Sequence, residues 1–94
     1  MYTVIGRVSI KPGHEDETLA MIRGGEAMVQ GMAGSAGGYW ARTLEGNLIQ
    51  HSIWLFDTEE HARAAEAMFN TLRTMPEAPA SFISVDVCEV VGQA

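Results

Sequence analysis

With 94 residues and a mass of 10.2 kDa, the chain has room for one core, and a core of that size buries only about 60–65% of the surface its unfolded chain exposes. The hydrophobic share of 47% with mean hydropathy near zero is that of a folded domain rather than a disordered one, so further burial by self-association is expected. Twelve acidic against six basic residues give a formal charge of −6, which opposes binding to nucleic-acid phosphates or anionic lipid heads.

Residues 2–10 alternate as a strand, with Val4, Val8 and Ile10 on one side and Thr3, Ile5, Arg7 and Ser9 on the other. Lys11-Pro12-Gly13 stops it. The acidic run Glu15, Asp16, Glu17 suits the positive end of a helix dipole, so a first helix begins near His14. Leu19, Met21, Ile22, Met28, Val29 and Met32 then fall on about half its circumference, one broad buried face. Gly24, Gly25 and Gly31 are weak points, each costing up to about 1 kcal/mol relative to alanine, and a bend is expected there. Gly34, Gly37 and Gly38 end the helix, and residues 39–44 read as a second strand. Glu45-Gly46-Asn47 is a tight turn leading into a third strand over residues 48–56, so these two strands form a hairpin.

Asp57-Thr58-Glu59-Glu60 resembles a capping box with Asp57 as the cap. In the second helix His61, Ala65, Met68, Leu72 and Met75 share a stripe with Phe69 beside it, while Glu59 and Arg63 pair on the solvent side. Pro76 and Pro79 forbid continuation. Residues 82–91 form the last strand, with Ile83, Val85, Val87 and Val91 on one face and Ser84, Asp86 and Cys88 on the other. The result is a single α+β domain over residues 1–94, βαββαβ in order.

No apolar run approaches the ~20 residues of a membrane helix, and no basic stretch leads into an apolar signal core. One cysteine excludes an internal disulfide and any zinc site built on cysteine pairs, and three histidines without i, i+4 spacing give no metal site. A cytoplasmic protein is expected. In the third strand Ile49, Ile53 and Leu55 point one way while Leu48, Trp54 and Phe56 point the other, so neither face suits water. Two helices cover one face of a four-stranded sheet, and a second copy of the chain is the simplest cover for the other.

Gly37-Gly38-Tyr39-Trp40 entering the second strand, Ser52-Ile53-Trp54 leading to the acidic start of a helix, and the element order together resemble the antibiotic biosynthesis monooxygenase-like family over nearly the whole chain. The resemblance implies a ferredoxin-like, four-stranded antiparallel sheet in a homodimeric α+β barrel. It also implies a cleft between sheet and helices at Trp54. Known activities in the family include cofactor-independent oxidation of phenolic polycyclic compounds and the binding and degradation of haem; fold alone does not select among them. Gln50 stands where the oxygenases carry an asparagine amide, a group able to hold a phenolate or an oxygen intermediate. Glu60 stands where they carry an aromatic hydroxyl. The haem-degrading branch has a first-strand asparagine where this chain has Gly6, and a second-helix histidine where it reads Met68-Phe69-Asn70-Thr71-Leu72.

On these grounds the expected site is an apolar cleft with Trp54 and Gln50 as catalytic residues and Met28, Met68 and Phe69 as substrate-binding residues, using no cofactor. Its ligand is a small aromatic or polyketide-like compound, and the activity that of a cofactor-independent monooxygenase. The alternative is a non-catalytic ligand-binding or assembly protein of the same fold. Structural roles compete at several positions: Trp54 and the methionines also suit an ordinary core, and His61, His51 and Cys88 suit inert packing. Glu26 reads either as a boundary residue or as a cleft base raised by burial.

Overall fold

The computed structural model describes residues 1–46, 48–74 and 79–94. The elements run β1 (Tyr2–Ile10), α1 (Glu15–Gln30), β2 (Ser35–Arg42), β3 (Ile49–Phe56), α2 (Glu59–Arg73) and β4 (Ala80–Glu89). The strands form one antiparallel sheet in the order β2-β3-β1-β4, with both helices on the same face. Asn47, Met75 and Pro76, given above to the turn, the helical stripe and the helix stop, lie outside the described residues.

The register sorts the strands into rows across the sheet. Facing the helices are the rows Gly38–Trp54–Val4–Val87, Trp40–Ser52–Gly6–Val85 and Arg42–Gln50–Val8–Phe82. The opposite face carries Tyr39–Ile53–Ile5–Asp86 and Gly37–Leu55–Thr3–Cys88. β3 therefore alternates without a fault, its even-numbered residues all buried and its odd-numbered ones half-buried, as period-two side-chain placement requires.

Three local expectations change. The glycine-rich run does not end α1; the helix stops at Gln30, and residues 35–38 already pair with β3 across a register shift between Ser35 and Gly37. β4 begins at Ala80 and ends at Glu89, leaving Val91 exposed beyond it. A bulge opposite Arg7 and Val8 also adds one residue to β4, so Phe82 rather than Ile83 faces the helices, and Ile83 is exposed. A bulge reverses side-chain parity, which a period-two reading carries unchanged along the strand.

α2 packs on β1, β3 and β4 through Ala62 and Ala65, both fully buried, and Phe69. The stripe expected from the larger side chains, through His61 and Met68, is thus turned by about one residue, because alanine lets the helix axis approach the sheet. α1 packs chiefly on β2, burying Thr18 and Val29 and leaving Leu19 and Met21 exposed. With α1 over the β2 end of that face and α2 over the β1–β4 end, β3 is left as the floor of a gap between them.

Candidate functional site

The gap is a cleft of about 270 Å³. β3 supplies its floor through Gln50, Ser52 and Trp54; Ile22, Gly25 and Met28 of α1 line it along with Phe69 and Leu72 of α2. Trp54 is 2% exposed and stacks on Phe69 with ring centroids 4.0 Å apart and planes 26° apart. Phe69 in turn meets Phe82 edge-on at 5.9 Å, and Trp40 lies 6.4 Å from Trp54 on the β2 side. The stack is possible because β1 carries Gly6 beneath it: a Cβ there would lie 2.6 Å from the Phe69 ring. The position at which the resemblance places an asparagine in haem degraders is thus covered here by a phenyl ring.

At the other end of the floor is a polar group. Gln50 is 7% exposed, and its Oε1 accepts from Arg42 Nε at 3.0 Å across the β2–β3 ladder. Arg42 Nη2 donates to Thr18 Oγ1 at 2.5 Å and to the Glu15 carbonyl at 3.2 Å, tying the first turn of α1 to the end of β2. The buried indole Nε1 of Trp54 has no hydrogen-bond partner among the described residues. An unmade bond of this kind costs about 1–3 kcal/mol.

Trp54, Gln50, Met28 and Phe69 are brought together around this cleft, and Met68 is not. Met68 is 38% exposed on the outer flank of α2, since the helix turns its alanines, not its methionine, to the sheet. Glu26 is also elsewhere, half-exposed and paired with Arg23 at 2.8 Å along a separate outer groove between α1 and β2. Among the described residues, the cleft is lined by no Asp, Glu, His, Cys, Tyr or Lys. Sequence reasoning passed over Arg42. The signal was present: strand parity puts it beside Trp40 and Gly38, and the hairpin sets it opposite Gln50.

His61 and Asp57 lie outside the cleft as well. Thr58, not Asp57, caps α2, its hydroxyl accepting from His61 N at 3.2 Å. Asp57 Oδ1 instead meets His61 Nδ1 at 2.6 Å. That hydrogen bond holds the Asp57 carboxyl below its ordinary value of 3.8 against the opposing effect of desolvation, with lesser help from the charge of His61. A carboxyl depressed in the folded state adds stability above its unfolded value and loses it as the pH falls through the folded one. Acid titration of Asp57→Asn should therefore give a shallower loss of stability below about pH 4 than the parent protein shows; superimposable acid limbs would count against the pair.

No protein-family model matches the chain. Solved structures do. The haem degrader MhuD from Mycobacterium tuberculosis, a structure with two haems bound in its active site, superposes with a TM-score of 0.77 at 16% identity, covering 100% of this chain and 99% of that one. Proteins assigned to the antibiotic biosynthesis monooxygenases from Bordetella bronchiseptica and Chloroflexus aurantiacus give TM-scores of 0.69 and 0.68 at 16% and 18% identity. They cover 96% and 99% of this chain and 96% of each of those. The chain has the antibiotic biosynthesis monooxygenase fold. Among curated proteins, the iminosuccinate reductase of Paracoccus denitrificans is 33% identical over 75 residues, 78% of this chain, but the chain spans only 23% of that enzyme's length. Glu60, which stands where the resemblance implies an aromatic hydroxyl, is exposed in the first turn of α2 and is not among the described cleft residues.

Proposed function

We propose that this protein is a cofactor-independent monooxygenase-like protein that takes a small aromatic or polyketide-like compound into the cleft, with Trp54 and Gln50 orienting it and Met28 and Phe69 packing against it. The observation that carries this reading is the stack of Trp54 on Phe69 beside a buried amide, a flat apolar wall next to a polar end. An apolar cavity of about 150 Å³ admits benzene, so about 270 Å³ suits two or three fused rings. A deprotonated phenolic ring of this kind supplies electrons to oxygen itself. In the oxidation of a ring methylene to a carbonyl, one oxygen atom enters the substrate and the other leaves as water, the four electrons coming from the substrate carbon. The protein's part is to exclude water, hold the ring and stabilise developing negative charge.

Haem suits the cleft poorly. A macrocycle of four pyrrole rings exceeds this volume about twofold by the same benzene comparison, and no histidine lines the wall. Met21 and Met28 do line it, but methionine ligates haem iron as the partner of a histidine.

Oxygen uptake with a panel of hydroxylated polycyclic aromatics tests the reading. Activity should fall on the order of 10²-fold in Gln50→Ala, in the range found for loss of one oxyanion donor, and markedly in Trp54→Phe. Uptake unchanged by both substitutions overturns the assignment to these residues. Binding without uptake across the panel leaves the non-catalytic ligand-binding protein in its place.

The same proposal includes a homodimer, formed in the cytoplasm. Tyr39, 66% exposed, with half-buried Ile5, Ile53 and Leu55, forms an apolar patch on the face away from the helices. Burying such a patch is worth roughly 25 cal/mol per Å². Ile53→Asp is expected to convert a dimer into monomers at micromolar concentration in sedimentation velocity; a parent protein that sediments as a folded monomer there removes the dimer.

A further inference from the structure

Arg42 is the cation at the polar end of the cleft, and none of the described carboxylates pairs with it. In the first turn of α1, which packs against it, Glu15 accepts from Gly13 N and Glu17 meets His14, while Arg42 reaches only the Glu15 carbonyl and the Thr18 hydroxyl. A guanidinium has donors and no acceptor. The atom of Gln50 that faces Arg42 must therefore be its oxygen, and the amide nitrogen is turned the other way. That nitrogen has no hydrogen-bond partner among the described residues, and Gln50 lines the cleft. Nearby are the Ser52 hydroxyl and the unpartnered indole N–H of Trp54. Among the described residues, none that lines the cleft is an Asp, Glu, His, Cys, Tyr or Lys, so none of these is placed to take a proton from a bound phenol.

We infer that Arg42 is a positioning residue that holds the Gln50 amide nitrogen toward the cleft, so that the site selects the anionic form of a hydroxyaromatic ligand. This deepens the reading above and rests on it for the class of ligand. A neutral amide free to turn would present oxygen as often as nitrogen and would show little preference between phenol and phenolate. Pinned by Arg42, it offers only donors, with a positive charge behind them.

The test is binding of 2-naphthol and of 2-methoxynaphthalene, which has no proton to lose, measured by probe fluorescence under nitrogen across the ionisation of naphthol. The parent protein should bind naphtholate at least about tenfold tighter than naphthol, equivalent to a drop of one unit in the bound probe's ionisation midpoint. Arg42→Met should remove the preference. Arg42→Lys should also lose most of it, since a lysine ammonium lacks the fork that holds Gln50, Thr18 and the Glu15 carbonyl at once. Gln50→Glu keeps an oxygen for Arg42 but turns a second oxygen to the ligand, and should reverse the preference. Methoxynaphthalene affinity should stay within about twofold in the two Arg42 variants, where the groups lining the cleft are themselves unchanged. Equal binding of naphthol and naphtholate by the parent, with methoxynaphthalene still bound, overturns this inference alone; so does full selectivity in Arg42→Lys, which would assign the effect to charge. If neither probe binds at any pH, the small-aromatic reading of the cleft falls as well.

Discussion

Replacing Phe69 with alanine should lower the unfolding free energy by about 3–5 kcal/mol, a large part of the 5–15 kcal/mol typical of a folded domain. The ring is 3% exposed and bridges the core to the cleft, stacked on Trp54 and edge-on to Phe82. Its removal forfeits apolar burial and leaves a void above Gly6 that the sheet backbone has no means of closing. Urea unfolding at fixed protein concentration measures the loss, because a dimer's midpoint moves with concentration. The Gly6 contact gives the prediction a second handle. Gly6→Ala alone puts a methyl group 2.6 Å from the Phe69 ring and should cost about 1–3 kcal/mol as overpacking. In the Phe69→Ala background the same substitution has space to fill and should be neutral or stabilising. Additive losses in the double variant would mean that Phe69 does not lie over Gly6.

That coupling separates what the residues reveal one at a time from what they reveal only in pairs. The alternation of β3 is legible because both its faces are set by one uninterrupted strand, and with it the side of the sheet on which Gln50 and Trp54 stand. The hairpin is legible for a similar reason: its turn is local. The phase of α2 is not. The expected stripe includes Ala65, with Phe69 beside it, but takes Met68 for its size and passes over Ala62, whose small side chain matters only once there is a surface to approach. The bulge that exchanges Ile83 for Phe82 depends on how β4 meets β1, a long-range pairing with no trace in the β4 residues themselves. Asp57 and Thr58 are both competent caps. The choice between them falls to Thr58, the aspartate being bound to His61. Arg42 was visible as a charged residue on a strand; its meaning came from the glutamine across the ladder.

Gly34→Ala should cost about 2–5 kcal/mol, from two effects at one position. Gly34 has φ of 75°, a left-handed conformation that costs an L-residue with a side chain roughly 1–2 kcal/mol. A Cβ there would also fall on Asp57 Oδ1 and on the His61 ring, adding about 1–3 kcal/mol if neither can move freely. Both are held: Asp57 N donates to the Gly34 carbonyl at 3.0 Å, and the Asp57 carboxylate is bound to His61. The loop after α1, the end of β3 and the first turn of α2 thus meet at one glycine, and the substitution strikes all three. The two effects can be parted by experiment. Truncating the side chains that the methyl group would strike, in Asp57→Ala with His61→Ala, should relieve the steric share of the Gly34→Ala loss and leave the backbone share of about 1–2 kcal/mol. A Gly34→Ala loss that is the same size in both backgrounds would place the whole effect in the backbone, and a loss below about 0.5 kcal/mol, the range of surface substitutions, would mean that Gly34 neither holds a positive φ nor touches the pair.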